Sequence, residues 1–411
     1  MYLFVFLGLV VGLHPQESFI EQSLVVNIEV PVRVFDDGAF IEDLKKKDFQ
    51  IFEDGKEQKI EAVYFIKKRT VERSEESKRF NPETDRNFFL FFELAEYDAR
   101  IGEAVDWFLS NVLYPGDSLY IITPLKTYNL RAKALASKLR EEIAEELKGL
   151  IRKDTLQGNA EYRNVIEDLT QVTRELTGIM NRTTDGSFAS PVATDPDDDM
   201  AEFQSDIIMN QLLLQYADNL SRLDNMRRVD QMKLLDFAEY LKYQFGQKYV
   251  FMFYEQEFVP QLNEELIERF KSMQMDSMDQ IFRAMTLFDF HRRDTLFHVE
   301  KVRRAYADAS TAIHFLFFSR RPTPEFGVQM VESSEDIFSA FRQMAVSTGG
   351  IVEASSRPLA SLQHAIEASE NYYLLYYAPR EYIPDGEFRE ITVKIKGKKY
   401  QVIHREGYFS N

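Results

Sequence analysis

The sequence predicts an α/β fold: a doubly wound, mostly parallel sheet with a helical insertion, plus a small β-sandwich-like domain formed by the N- and C-terminal segments. Three observations predict it. The runs FFLFF (residues 88–92) and KYVFMFYE (248–255) are almost wholly apolar, the pattern of parallel strands covered on both faces. Both ends of the chain instead alternate apolar and polar residues, as half-buried strands do. Between them, residues 203–245 contain neither Gly nor Pro and carry an apolar stripe at helical spacing through Leu213, Tyr216, Leu220 and Leu223.

In chain order, MYLFVFLGLVVGL has the length of a signal-peptide hydrophobic region and is too short to span a bilayer. No Lys or Arg precedes it, and HPQES after it holds no small-residue cleavage pattern. It nevertheless predicts export, to a secreted or periplasmic location. SLVVNIEVPVRV reads as a strand. DFQIFEDGKEQKIEAVYFIKK (48–68) reads as strand, Asp54-Gly55 turn and strand, since Asp-Gly supplies the left-handed backbone of a tight hairpin. RTVERSEESKRFNPETDR (69–86) has almost no apolar residue and reads as a linker.

From residue 87 the pattern becomes α/β. FFLFF is followed by a helix with Ala104, Val105, Phe108, Leu109 and Val112 on one face, then by the strand SLYIIT and an edge strand in KTYNLRA. Leu135, Leu139, Ile143 and Leu147 mark another helix. TTDGSFASPVATDPDDDM (183–200) reads as an acidic loop, and 203–245 as one long helix or two joined ones. The strand at 248–255 is followed by helical sequence to about residue 309, the strand TAIHFLFF, a helix stopped by Gly349-Gly350, the strand IVEAS and the helix LASLQHAIEASE. NYYLLYYAP and FREITVKIKGKKYQVIHREGYF, with Lys396-Gly397 at its turn, return to β texture. In NYYLLYYAP, alternation predicts one core face and one tyrosine-rich outer face.

The expected organisation is a leader at 1–17, an N-terminal β segment at 18–70, an α/β domain at 85–368 with its helical insertion at about 165–246, and a C-terminal β segment at 370–411 that pairs with 18–70. A chain of 411 residues with 45% hydrophobic residues has ample material for two to three cores. The net charge of −17 argues against non-specific binding to nucleic acid or anionic lipid, which need cationic surface. HRRDTLFHVEKVRR (291–304) is the one basic stretch, and reads as a solvated helix face. With no cysteine, disulfides, thiolate metal sites and Cys nucleophiles are excluded.

The order of VPVRVFDDG, DFQIFEDGKEQKI, the α/β stretch, YYLLYYAP and EFREITVKIKGKKYQVIHREGYF resembles the bacterial VWFA-related proteins. These carry a von Willebrand factor A (VWA) domain between two β segments. The resemblance covers nearly the whole chain after the leader and implies a VWA-like fold. VWA domains often hold Mg²⁺ at a metal-ion-dependent adhesion site with a D-x-S-x-S motif, a Thr and a further Asp. The resemblance places these positions at Glu93, Ala95 and Tyr97, at Asn159 in GNAEYRNVI, and at Glu255 in FMFYEQE. Every one departs from the motif. Mg²⁺ demands near-octahedral oxygens at roughly 2.0–2.1 Å. Ala95 offers no side-chain oxygen, the Tyr97 hydroxyl reaches too far, and Glu93 and Glu255 are each a methylene too long. The expectation is a degenerate site with no metal and no cofactor. The alternative is a cation-dependent adhesion site in which Glu93, Asn159 and Glu255 hold a larger ion such as Ca²⁺.

The histidines show no zinc-ligand spacing, and no G-x-S-x-G elbow, phosphate-binding loop or G-x-G-x-x-G occurs. The function expected is therefore a non-catalytic, exported protein–protein interaction module. Its partner would be a protein that binds at the strand-end loops or the helical insertion, with no nucleic acid and no membrane contact beyond export.

Overall fold

The structure is a computed structural model that describes residues 26–130, 135, 137–184, 196–263, 265, 297–320, 322 and 324–411. The expected leader at 1–17, His291 and most of the expected acidic loop lie outside the described residues. The strands are β1 (Ile28–Asp36), β2 (Ala39–Phe40), β3 (Phe49–Glu53), β4 (Lys56–Gln58), β5 (Ile60–Lys67), β6 (Thr70–Glu76), β7 (Arg86–Glu93), β8 (Ser118–Ile122), β9 (Thr127–Leu130), β10 (Gln247–Glu255), β11 (Phe258–Leu262), β12 (Thr311–Phe318), β13 (Val328–Glu332), β14 (Val352–Ser355), β15 (Asn371–Tyr377), β16 (Phe388–Ile395), β17 (Gln401–His404) and β18 (Gly407–Phe409). The helices are α1 (Ala99–Asn111), α2 (Arg140–Gly158), α3 (Ala160–Thr184), α4 (Pro196–Met226), α5 (Gln231–Lys242), α6 (Val299–Asp308), α7 (Glu335–Ser347) and α8 (Pro358–Glu370).

The strands form four sheets. One runs β17-β1-β15-β5-β6, with β2 beside β1; a second runs β18-β16-β3-β4; a third is the β11-β13 pair. The fourth runs β14-β12-β10-β7-β8-β9. The expected VWA-like, doubly wound, mostly parallel class is overturned by this pairing. Among the described residues four strand pairings are parallel, all in the fourth sheet, and ten are antiparallel. Even the fourth sheet is mixed, because β9 runs against β8.

The physical reason is that an apolar run reports burial on both faces, not strand direction. NYYLLYY of β15 is as fully buried as FFLFF, yet β15 is antiparallel to both β1 and β5. Tyr373, Leu375 and Tyr377 face the core between the two antiparallel sheets, with Val30, Val32, Ile51 and Val393. Tyr372, Leu374 and Tyr376 face a second cluster with Tyr64, Ile66 and Phe80. The tyrosine-rich outer face expected for this strand is therefore buried. The stretch expected as a linker supplies both Phe80 and the edge strand β6, whose side chains are largely exposed and charged. Charge on an edge discourages pairing with another chain.

Three further expectations change. β16 and β17 do not pair with each other: β16 joins β3 and β18, while β17 joins β1. The Lys396-Gly397 turn thus carries the chain between sheets. β11 stands where helix was expected after residue 255, and pairs with β13. Helix α4 begins at Pro196, inside the stretch expected as a loop. The Asp54-Gly55 hairpin forms as expected, with φ of 47° and 77°, and joins β3 to β4.

The fourth sheet is covered on both faces. On one, Phe88, Leu90 and Phe92 pack with Ile101, Phe108 and Leu147. On the other, Phe89, Val250 and Phe315 pack with Leu241, Val302 and Met344. Helices α3 and α4 have a core of their own. Val165, Leu169 and Leu176 meet Leu213, Tyr216, Leu220 and Leu223 over Val259 and Leu262 of β11. The apolar stripe of the insertion is thus spent inside the fold, and the Tyr216 hydroxyl donates to the Pro260 carbonyl at 2.9 Å.

Beneath the fourth sheet, at the start of β7, Arg86 is 3% exposed and Asp117 fully buried. Arg86 donates to both carboxylate oxygens of Asp117, at 2.6 and 3.3 Å, and to the Val112 carbonyl at 2.7 Å. Its guanidinium also stacks over Phe88 and Tyr114. Removing one partner of such a pair strands a buried charge. Asp117→Ala is expected to lower stability by about 3–5 kcal/mol, measured by urea denaturation, while Arg86→Met combined with Asp117→Leu recovers much of that loss.

Candidate functional site

In the fourth sheet, β8 lies on one side of β7 and β10 on the other. The chain therefore changes direction across the sheet at the β7–β10 pair. Loops leaving neighbouring strand ends diverge there, which opens a crevice beyond the carboxyl ends of the strands. A cleft of about 560 Å³ occupies this place. Ala95 and Glu96 follow β7, Glu255 ends β10, Gln256 and Glu257 lead into Phe258 at the start of β11, Arg320 follows β12, and α3 closes the far wall with Arg163, Gln171 and Arg174.

The pleat decides how the expected site residues are arranged. Glu93 is paired in register with Tyr254, and paired residues of parallel strands share a face, so Glu93 lies on the Tyr254 face. Glu255, one residue on, points to the opposite face. The contacts agree. The Glu255 carboxylate, 7% exposed, accepts from the Glu96 amide at 3.2 Å and from the Ala95 amide. Glu93 instead lies toward Tyr254 and Glu257. The two strand-end acids are held apart by parity.

Asn159 caps the C-terminus of α2, and its side-chain amide nitrogen donates to the Leu94 carbonyl at 2.7 Å. It ties the loop after β7 to the helix. Ala95 contributes its backbone: its carbonyl accepts from Arg163 at 3.2 Å. Tyr97 packs against the α1 side of the sheet, outside the cleft lining. Its hydroxyl lies 2.8 Å from where a Cβ on Gly102 would stand, so the glycine leaves room for it. The structure thus brings Ala95, Asn159 and Glu255 together as a clamp on the 94–96 backbone and separates Glu93 and Tyr97 from them. Among the described residues no group of three or more His, Asp or Glu side chains is placed to hold a metal ion.

Charge in the cleft comes as pairs between distant elements. Arg320 pairs with Glu96, Arg174 with Glu325, and Arg227 with Glu257. The first two are substantially exposed; the third is buried, and Glu257 also accepts from the Tyr254 hydroxyl at 2.9 Å. Sequence reasoning missed all four arginines of this region. Arg163 is the one with a local signal, since it lies in the GNAEYRNVI segment already singled out. The Arg320 position follows from pairing, because Glu255 stands opposite Phe318 in register.

Burial raises the Glu255 carboxyl above its ordinary value, against the lowering by the amides it accepts from. Glu93 lies deep among neighbouring atoms while its side chain keeps access to water. That depth, with the like charge of Glu257 added, pushes its carboxyl up to about 7. His314, by contrast, is a core residue. Its Nδ1 lies 3.3 Å from the Ile351 amide, its Nε2 3.0 Å from the Ser369 hydroxyl, and its ring stacks on Phe251. Since the Ile351 amide donates, Nδ1 is the acceptor and Nε2 carries the proton.

No known protein family, curated protein or solved structure matches the chain. The resemblance to VWFA-related proteins gains no support from these comparisons.

Two outcomes follow from the clamp and from Glu93. Glu255→Ala leaves two loop amides without their acceptor and is expected to cost about 1–3 kcal/mol in urea denaturation. For Glu93, the folded chain binds the proton more tightly than the unfolded one. Its contribution is fully present below pH 4.5 and is lost as pH rises through about 7. A Glu93→Gln chain should therefore show a flatter stability profile between those values, with a small difference because water reaches the side chain.

Proposed function

We propose that the chain is a non-catalytic protein-interaction module that binds a polar, charge-bearing protein segment in the cleft beyond β7, β10 and β12. The observation that carries this reading is the way the cleft holds its charge. Arg320–Glu96 and Arg174–Glu325 bridge different walls of the cleft, and their side chains are 34% to 57% exposed. Exposed pairs of this kind contribute little by themselves, about 0–1 kcal/mol. A partner carrying both charge signs can replace either pair at small cost and gain contacts to both walls. The backbone under the cleft is held by Glu255, Asn159 and Arg163, so the surface is formed before the partner arrives.

The opposed acids support the same reading over a metal-dependent one, since Glu93 and Glu255 face different sides of the sheet. The helical insertion supports it indirectly. Its apolar stripe is packed inward, and α3 meets the cleft through polar side chains such as Gln171 and Arg174.

The test is site-specific photocrosslinking of the full chain in its native host. A crosslinker at Gln171, in the cleft, is expected to give a discrete protein adduct, and one at exposed Lys59 is not. Arg320→Glu should reduce the Gln171 adduct about tenfold, the equivalent of 1.4 kcal/mol. Equal labelling from Gln171 and Lys59, or an adduct indifferent to Arg320→Glu, removes the cleft as the binding surface.

A further inference from the structure

The seam between the antiparallel sheet of β1 and the mixed sheet of β10 buries an excess of positive charge. Arg33 on β1, Lys248 on β10 and Arg405 after β17 are 5%, 7% and 8% exposed, and all three line one small, partly open cavity. The carbonyls that the guanidiniums donate to are neutral groups. Arg33 donates to the Gly349 carbonyl at 2.8 Å, and Arg405 to the Glu29 and Asp308 carbonyls at 2.8 and 3.4 Å. The Lys248 ammonium donates to the Gln244 carbonyl at 3.3 Å. The Nε–H groups of both Arg33 and Arg405 are buried without an acceptor among the described residues.

Among the described residues two carboxylates lie near, and both are engaged. Glu29 accepts from the Tyr376 hydroxyl at 2.6 Å and from Gln247 at 3.3 Å. Asp308 pairs with Lys242 at 2.6 Å and accepts from the Phe409 amide at 2.9 Å. With Lys242 counted against Asp308, three buried cations face one carboxylate. A carbonyl dipole satisfies a donor but does not neutralise a full charge, and an uncompensated buried charge costs several kcal/mol. Burial lowers the affinity of all three groups for their protons, most visibly at Lys248, which is pushed down to about 8.

We propose that this seam binds one small monovalent anion, chloride in kind, between Arg33, Lys248 and Arg405. The cavity has room for a single water-sized occupant, about 10 Å³. That excludes phosphate, sulfate and carboxylates. The long side chains lining it can yield the few tenths of an ångström that chloride needs beyond water. Pro31, Ala312 and Thr348 are among the other residues of its wall. The anion would act as a counter-ion that fastens the terminal β sheets to the mixed sheet.

Thermal unfolding of the full chain in chloride against gluconate, at equal ionic strength, tests this. Gluconate is too large for the cavity. The midpoint is expected to be about 2–4 °C higher in chloride, and the difference should vanish in Lys248→Met and in Arg405→Gln. Equal midpoints for the unaltered chain overturn the proposal and leave water as the occupant. A chloride effect retained in both variants also overturns it, since the ion then binds elsewhere. If the variants do not fold, crystals of the unaltered chain grown in bromide decide. An anomalous peak between Arg33 and Arg405 supports the site, and its absence there rejects it.

Discussion

The in-register pairing of β7 with β10 is the constraint on which the site depends. It sets Glu93 opposite Tyr254, and pleating then sends Glu93 and Glu255 to opposite faces. Each acid is left to answer to its own surroundings. Glu255 becomes the acceptor for the loop that leaves β7. Glu93 joins the side of the sheet where Glu257, Tyr254 and Arg227 form a buried polar group. A slip of one residue would reverse both roles and expose the apolar residues of β7 to the wrong layer.

The rest of the cleft follows from where neighbouring elements end. Helix α3 is held against β11 by a compact apolar core, with Leu169, Leu176 and Tyr216 at its centre. This fixes the polar edge of α3 over the strand ends. Ion pairs then fill the gap between walls that are already positioned. Packing therefore supplies the rigidity and charge supplies the surface character.

Strand positions were legible in the sequence because burial leaves a compositional trace. FFLFF, TAIHFLFF and NYYLLYY are all strands, and the Asp54-Gly55 turn joins the strands expected. Direction was not legible. NYYLLYY is buried as fully as FFLFF, yet β15 has antiparallel neighbours and β7 parallel ones, so burial alone does not give direction. Helix α4 was underestimated at its start because DPDDDM is polar, although proline and acids are favoured in a first helical turn. The strand-end position of Glu255 could be read from the chain. Its partners could not, because Glu96 is 159 residues away and pairs in turn with Arg320, 224 residues further along.

Strand β15 lies between β1 and β5, although more than three hundred residues separate its first residue from the end of β1. On a ribosome adding 5–20 residues per second, β1 and β5 wait on the order of tens of seconds for the strand that joins them. During that interval Val30, Val32, Val63 and Phe65 lack the cover of Tyr373, Leu375 and Tyr377. Synthesis thus departs from the spatial order of this sheet: its middle strand is made after every other strand but the edge strand β17, so the two N-terminal strands it joins are built without their shared neighbour.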